Sequence, residues 1–305
     1  MKRFIFVLCA LSALIVMAIV AVHVYVILAC QREMDEVYAV RPDQDVLFLG
    51  SSQIGCAIEE SSRFHNKCIW VSETIAQSCL IRLKELERRN QLSHVKILVV
   101  PFHVFMISAQ SEWTFKWAWY QELAVSWRHL DMLPCGLVKF LAFIACNLRI
   151  PPAIHVSEKR PRRQGLTERP VPYQRHFHGL CEQKAAAMCK VSGSFRNWEQ
   201  SFFGSYNEMK EICDRHGIRF VVCRAPVLPY FDHRIPECGQ RMIDAAVTRI
   251  RSMGIEYIDT DHEIPEKYFF DWLHLIPDGA TIFTEKLYRK LSLQYGEAVE
   301  SEEVL

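Results

Sequence analysis

The sequence predicts an α/β domain built on a parallel β-sheet with helices on both faces. Two observations support this prediction: short apolar runs of strand length recur along the chain, and helical stretches separate them. Strands that alternate with helices of this length form parallel sheets covered on both sides, so a three-layer domain follows. In such sheets ligands bind at the carboxyl ends of the strands, and we expect the chemistry there.

Five segments have the length and composition of buried strands. They are residues 45–50, 68–71, 95–101, 218–223 and 255–258. The predicted helices cover residues 73–90, 207–216, 241–252 and 280–293. Gly217 directly follows the second of these helices, in the position where glycine commonly ends a helix.

Residues 1–30 contain a long apolar stretch. Lys2 and Arg3 precede an uncharged run from Phe4 to Cys30, which exceeds the roughly 20 apolar residues that a helix needs to cross a bilayer. Because the short N-terminal flank is basic, the positive-inside rule places the rest of the chain outside the cytoplasm. We therefore expect a retained signal anchor in the cell membrane, with a single pass and an extracytoplasmic C-terminal domain.

A second interpretation of the N-terminus stays open. Residues 27–30, Ile-Leu-Ala-Cys, are similar to the lipobox of bacterial lipoproteins, and in that case Cys30 carries the lipid anchor. A helix buried in a soluble domain is a third alternative, which the length of the run disfavours. Beyond the anchor we expect a tether over residues 31–44 and, at the other end of the chain, an acidic tail over residues 296–305.

The composition excludes some classes of function. Lys and Arg total 36 against 35 Asp and Glu, a net charge of +1, so the chain lacks the basic excess of a nucleic-acid-binding protein. Its 12 cysteines show neither a Cys-x-x-Cys motif nor a Cys/His zinc spacing, so we expect no metal and no cofactor. Cys56, Cys213 and Cys223 fall in predicted core elements, where a free thiol packs as a small hydrophobic group.

Gly50, Ser51 and Ser52 directly follow the first predicted strand. A serine on a tight turn after a buried strand is held rigidly, and it can act as a nucleophile if a base lies beside it. A helix that follows the turn would aim backbone N–H groups at the point where an oxyanion forms. Taken alone, a Gly-Ser-Ser turn is common, and its simplest interpretation is structural.

Asp271 and His274 precede the last predicted helix. Histidine is the side chain whose charge changes near neutral pH, and a carboxylate three residues earlier can hold its Nδ1–H and fix its tautomer. By itself this pattern also fits a helix cap beside a surface histidine. Because both motifs reach the same edge of a parallel sheet, Ser52, His274 and Asp271 together predict a catalytic triad.

The two blocks resemble those of the SGNH/GDSL hydrolases. Members of that superfamily open with a strand and a Gly-x-Ser block, and they close with Asp-x-x-His before a terminal helix. This chain has Leu-Phe-Leu-Gly-Ser-Ser at residues 47–52 and Asp-Trp-Leu-His-Leu-Ile-Pro-Asp-Gly-Ala at residues 271–280. The resemblance implies a nucleophile at Ser52, a general base at His274 and an orienting acid at Asp271.

The resemblance also implies a flavodoxin-like three-layer domain over residues 45–295. It covers residues 45–101 and 207–295, whereas residues 102–206 match no part of the family pattern. The first part of this intervening segment is rich in aromatic residues. We expect an insertion or lid over the carboxyl edge of the sheet, and a helical cap with its own small core is the alternative.

The chain differs from the family in the residues that would donate hydrogen bonds to an oxyanion. The family supplies a glycine after the second strand and an asparagine after the third, and both are absent here. The side chains of Gln77 and His103 are candidates to replace them beside the backbone amide of Ser52. Ser51 and Trp272 are the candidate substrate-lining residues. Ser51, where the family usually has aspartate, could also assist the turn or substitute as nucleophile, and Trp272 could instead be a core aromatic. Losing one donor typically costs ~10²–10³ in rate, so weak or specialised activity is compatible with this pattern.

The Gly-Ser-Ser form looks most like the membrane-anchored members of the superfamily. These include the D-alanyl-transfer protein of teichoic-acid operons and proteins that accompany membrane-bound O-acyltransferases in polysaccharide acylation. The resemblance implies a serine esterase or O-acyltransferase for acyl esters of cell-envelope or exported glycans. The alternative is a catalytically weak or inactive glycan-binding partner of a multispanning membrane O-acyltransferase. An esterase for lipids is a third option.

Overall fold

The computed structural model describes residues 37–71, 76–102, 195–260 and 264–294 continuously, together with parts of residues 4–21 and 179–186. The β-sheet and the candidate site belong to one compact unit, residues 40–118 with 162–305.

Five parallel strands form the β-sheet of this unit. They are β1 (Val46–Ser51), β2 (Asn66–Val71), β3 (Ile97–Phe102), β4 (Arg219–Arg224) and β5 (Glu256–Ile258). Their order across the sheet is β2-β1-β3-β4-β5. This is a doubly wound order, in which ligands bind at the carboxyl ends of β1 and β3, where the strand order reverses. The predicted parallel α/β sheet is therefore confirmed, and each predicted strand overlaps an observed one.

The strands are continuous apolar runs because both faces of the sheet are covered. Every residue of β1 and of β3 is buried, as is typical of a parallel sheet between two layers of helices. Leu47, Phe48 and Leu49 are completely inaccessible to solvent. The core therefore lies along β1 and β3 and holds the end of β1 in a fixed position.

Six helices accompany the described strands. They are α1 (Ser52–Ala57), α2 (Ala76–Arg88), α3 (Phe195–His216), α4 (Pro229–Asp232), α5 (Glu237–Ser252) and α6 (Pro277–Gln294), with short 3₁₀ turns at Ser62–Phe64 and Glu266–Tyr268. Gly217 follows α3 with φ of 66°, which is the left-handed conformation expected of a residue that ends a helix.

Helix α3 begins at Phe195, well before the predicted start at residue 207. The reason is aromatic packing: the Phe202 ring lies 6.4 Å from Phe102 of β3, and the Tyr206 ring stacks 6.0 Å from Phe220 of β4. The end of the expected 102–206 insertion is therefore part of a helix that covers the sheet. Residues 103–178 lie outside the described residues, so the lid stays a prediction.

The N-terminal apolar segment is described only in part. Its described positions between residues 4 and 21 are helical, and their large hydrophobic side chains are exposed, Phe4 by 72% and Phe6 by 75%. Among the described residues, no helix combines the length and apolar character that a bilayer crossing requires. Cys30 and the tail at residues 296–305 lie outside the described residues, so the expected anchors and tail stay predictions.

The cysteines of the described core behave largely as the sequence predicts. Cys213 and Cys223 are free and fully buried, whereas Cys56 is free but half-buried. Burial raises the pKa of the Cys223 thiol to about 12, so this group stays protonated and packs as a hydrophobic side chain. Cys238, at the start of α5, is disulfide-bonded.

Candidate active site

Ser51 and Ser52 occupy the junction between β1 and α1 and have different roles. Ser51 is the N-cap of α1: its backbone is extended and its buried Oγ accepts a hydrogen bond from the backbone N–H of Gln53 at 3.3 Å. Such a cap satisfies one of the free amides at a helix start. Its hydroxyl is thereby committed to structure, and Ser52, the first residue of α1, is the serine that reaches the histidine.

Gly50 allows this junction to be tight. A Cβ atom at this position would lie 2.5 Å from Cγ2 of Ile54 and 2.8 Å from Cγ of Pro101. These distances are too short for any side chain, so the close packing of β1, α1 and β3 requires glycine. The rigid core under β1 therefore fixes where Ser52 stands.

A continuous hydrogen-bonded chain joins the three predicted triad residues. Ser52 Oγ lies 3.0 Å from Nε2 of His274, and Nδ1 of His274 lies 2.9 Å and 2.8 Å from the two carboxylate oxygens of Asp271. An ionised carboxylate only accepts hydrogen bonds, so Nδ1 carries a proton and Nε2 is left to accept the serine proton. This is the arrangement that a general base needs to activate a hydroxyl nucleophile.

The Asp-x-x-His spacing has a local structural cause. Asp271 Oδ1 accepts the backbone N–H groups of Leu273 and His274, both at 2.8 Å, so the carboxylate closes the turn that carries the histidine. Burial alone would raise the pKa of Asp271. The hydrogen bond and electrostatic attraction of the His274 ring, together with the two backbone amides, outweigh burial and hold that pKa below its ordinary value. The orienting acid therefore stays ionised.

Backbone contacts on either side of the turn hold this loop. Phe269 and Leu275 form an antiparallel bridge, and the backbone N–H of Phe270 donates to the carbonyl of His274 at 2.7 Å. Gly279 makes the close packing possible, because a Cβ there would lie 2.7 Å from the carbonyl oxygen of Tyr268. The loop thus leads His274 to the carboxyl edge of the sheet just before α6.

Trp272 packs on one side against the protein. Its ring lies 5.2 Å from that of Phe231 between centroids, and its carbonyl accepts the backbone N–H of Leu228 at 3.0 Å. The residue is half-buried, as are Ser52, His274 and Asp271. A substrate-lining role for Trp272 stays a prediction.

The predicted oxyanion donors are only partly described. Ser52 is the first residue of α1, where backbone amides have no acceptor within the helix. Gln77 is the second residue of α2 and is half-buried, and His103 lies outside the described residues. The contribution of either side chain to an oxyanion hole stays a prediction.

Two features near the triad escaped the sequence analysis. Gln53 is almost fully buried, and its Nε2 donates to the carbonyl of Pro226 at 2.6 Å. Cys181 is buried in the 179–186 segment, and burial, with the charge of Asp271 adding, raises the pKa of its thiol to about 11. Cys181 belongs to the segment that the sequence predicts as an insertion. No pattern in the sequence predicts its burial or the bond between Gln53 and Pro226.

Among the residues that the structure describes, no group of three or more His, Cys, Asp or Glu side chains is placed to hold a metal ion.

Neither a protein-family model nor a curated protein sequence matches this chain. Two solved bacterial structures are similar to it. One is a proposed acylhydrolase from Bacteroides fragilis, with 10% sequence identity, a TM-score of 0.42, and coverage of 82% of this chain and 88% of that chain. The other is a GDSL-like lipase from Bacteroides thetaiotaomicron, with 11% identity, a TM-score of 0.44, and coverage of 87% and 98%. At this similarity the chemistry of the chain has to follow from its own side-chain geometry.

Proposed function

We propose that this chain is a serine esterase or O-acyltransferase of the SGNH/GDSL type. The observation that carries the proposal is the hydrogen-bonded chain from Ser52 Oγ through His274 to Asp271, with every link at 3.0 Å or less. The link from Ser52 to His274 joins residues 222 positions apart, and the chain lies at the carboxyl edge of the sheet, where parallel α/β folds place ligands.

The reaction follows from the protonation states. Ser52 Oγ attacks the carbonyl carbon of an acyl ester while Nε2 of His274 takes the serine proton, and Asp271 stabilises the imidazolium that forms. When the C–O bond of the ester breaks, the imidazolium returns the proton to the leaving alcohol. The acyl group is then bound to Ser52. Water or a sugar hydroxyl, deprotonated by His274, then attacks the acyl carbon. The bond to Ser52 Oγ breaks, the imidazolium returns the proton to Ser52, and the acyl group leaves as an acid or as a new ester.

The proposed setting is the outer side of a membrane, with acyl esters of cell-envelope or exported glycans as substrates. Two observations support it. The N-terminal apolar residues that are described are helical and present their side chains outward. The disulfide at Cys238 suits an oxidising compartment outside the cytoplasm. Anchoring by an N-terminal helix would hold the triad next to substrates at the membrane surface.

A second candidate is a catalytically weak glycan-binding partner of a multispanning membrane O-acyltransferase. The observation that favours it is the chain after β2 and β3, which offers neither the glycine nor the asparagine that the family uses as oxyanion donors. Without those donors the triad can be assembled and still turn over slowly.

The test is turnover of p-nitrophenyl acetate by the full-length protein in detergent, wild type against Ser52→Ala. Ser51→Ala is the matched control, because it removes a hydroxyl one residue away that caps α1. We expect Ser52→Ala to abolish turnover and Ser51→Ala to retain it, with a loss of roughly 1 kcal/mol in stability. Full turnover by Ser52→Ala would refute the enzyme proposal, and a folded but silent wild type would favour the partner role.

A further inference from the structure

The side chain of Gln53 links the nucleophile turn to a distant loop. Gln53 follows Ser52 in α1, is 1% exposed, and donates from Nε2 to the carbonyl of Pro226 at 2.6 Å. Because a carbonyl oxygen only accepts, the amide nitrogen has to face Pro226, which fixes the orientation of the carboxamide. The residue beside the nucleophile is therefore attached to the chain that follows β4.

The loop that receives this bond also holds the acid–base turn. We call residues 225–228 the Pro226 loop. At its end, the backbone N–H of Leu228 donates to the carbonyl of Trp272 at 3.0 Å. Trp272 stands between Asp271 and His274, so this bond fixes the turn that presents the histidine. The loop thus contacts both halves of the triad through different atoms.

Buried contacts make the Pro226 loop a stiff connection. At one end, the N–H of Ala225 donates to the carbonyl of Phe102 at 3.1 Å and extends the β-ladder. Across it, Arg224 Nη2 and Asp232 Oδ1 form a buried ion pair at 2.6 Å. Because the loop is hydrogen-bonded at both ends, a shift of Gln53 at one contact should displace Trp272 at the other.

These links close a ring of hydrogen bonds through the active site. It runs from Ser52 to Gln53, across to the Pro226 loop, from Leu228 to Trp272, and back through His274 Nε2 to Ser52 Oγ. Besides the direct hydrogen bond, the ring connects the nucleophile and its base through Gln53, the Pro226 loop and Trp272. Their separation is therefore set twice, once directly and once through the protein.

We infer that Gln53 is a positioning residue, which holds Ser52 at reacting distance from His274 through the Pro226 loop. The inference rests on the proposed function, because it concerns the same triad. Gln53 touches neither the acyl group nor the transferred proton. Since a misplacement of about 1 Å can cost ~10²-fold in rate, loss of this link should lower the rate of acylation without weakening substrate binding.

Gln44 provides a matched control at the other end of β1. It is also buried, at 3% exposed, and its Nε2 donates to a backbone carbonyl, that of Asn66, at 2.8 Å. Replacing either glutamine by methionine keeps the length of the side chain and removes the donor. Gln44→Met also removes the Oε1 atom that accepts the backbone N–H of Arg41 at 2.9 Å, so its structural cost is at least that of Gln53→Met, at a site away from the triad.

The test uses full-length protein in detergent and measures kcat and KM for p-nitrophenyl acetate together with the rate of labelling by a fluorophosphonate. We expect Gln53→Met to lower kcat and the labelling rate about 10- to 100-fold with KM unchanged, while Gln44→Met keeps wild-type rates although its unfolding midpoint falls at least as far. Equal rates in the two variants would overturn the inference.

A second variant tests the ring from its other side. Leu228 has φ of −56°, which proline adopts, so Leu228→Pro removes the N–H bonded to Trp272 without straining the backbone at that residue. Because one break opens the ring, the double variant with Gln53→Met should be little slower than the slower single variant. Rate losses that multiply would show two independent structural effects and contradict the ring.

If the wild-type protein were inactive, the proposed function would be refuted, but the positioning role of Gln53 could still be tested. The Nδ1 proton of His274, held by Asp271, gives a downfield NMR resonance that is assigned by its absence in His274→Gln. We expect Gln53→Met to shift or broaden this resonance and Gln44→Met to leave it unchanged. An unchanged resonance in Gln53→Met would refute the positioning role independently of turnover.

Discussion

The two edges of the β-sheet carry polar residues in different arrangements. At the amino edge, Arg219 and Glu256 open neighbouring strands and form a two-pronged ion pair, with both N–O distances at 2.8 Å. At the carboxyl edge, Asp271, His274 and Ser52 form a directional chain that ends in a hydroxyl group. The first arrangement satisfies its own charges, whereas the second ends in a group that can react with another molecule.

Burial does not distinguish these edges. The ion-pair side chains are 19% and 14% exposed, and those of His274 and Asp271 are 26% and 18% exposed. The difference lies in the chemistry of the partners. Arg219 and Glu256 form an ion pair with each other, whereas the imidazole of His274 can accept a proton from a hydroxyl group. Position at the carboxyl edge and the presence of a proton acceptor together distinguish the candidate site.

The largest expected effect comes from removing one charge at each edge. Asp271→Asn should lower kcat about 10⁴-fold, because an amide no longer fixes the imidazole tautomer or stabilises the imidazolium. Glu256→Gln, the matched change at the amino edge, should leave kcat unchanged. Steady-state kinetics of the two variants checks this, and comparable losses in both would mean that the carboxyl edge has no special role.

The next effect concerns stability and pH. Glu85 of α2 is buried, which raises its pKa, but its hydrogen bonds to Arg88 and Arg89 outweigh burial and lower that pKa from its ordinary 4.5 to about 2. Because the folded-state pKa is depressed, the stabilisation is complete above pH 4.5 and is lost as the pH falls toward 2. It is on the order of 3 kcal/mol.

Glu85→Gln should therefore lower the unfolding midpoint in urea at pH 7 and flatten the fall of that midpoint as the pH drops from 4.5 toward 2, between the unfolded and folded pKa values of Glu85. The exposed Glu237→Gln, which disrupts a surface pair with Arg241, should change the midpoint little at either pH. A steep acid transition that survives in Glu85→Gln would place the titrating group elsewhere, Asp271 included.

The smallest effects come from two glycines that differ in their surroundings. Gly279→Ala brings a Cβ to 2.7 Å from the Tyr268 carbonyl, and such overpacking typically costs about 1–3 kcal/mol. We expect lower activity too, since the displaced segment carries His274. Gly204→Ala in α3 meets nothing within 4 Å and should raise stability by about 0.5–1 kcal/mol. Thermal unfolding of both variants decides this, and equal shifts would contradict the packing described at the loop.

The sequence predicted the parts of this structure that depend on local pattern. The apolar runs predicted all five strands. The spacing of Asp271 and His274 predicted their pairing, because one carboxylate can cap the turn and also accept a hydrogen bond from the imidazole ring. The meeting of Ser52 with His274 was predictable from parallel topology, which brings strand ends to one edge.

Contacts between distant segments were beyond the reach of the sequence pattern. The bond between Gln53 and Pro226 joins residues 173 positions apart and depends on the final packing. The choice between Ser51 and Ser52 depended on which hydroxyl caps α1, and this is a matter of backbone angles. The start of α3 was missed because it depends on the packing of Phe202 and Tyr206 on the sheet, whereas residues 102–206 matched no part of the family pattern.

The most direct test of the account is to find where a serine-directed fluorophosphonate reacts. Full-length protein is labelled in detergent and digested, and the modified residue is identified by mass spectrometry. We predict a single adduct on Ser52 in the wild type, and none on this residue in His274→Ala or after denaturation. An adduct on Ser51, or equal labelling of Ser52 without His274, would contradict a nucleophile activated by this triad.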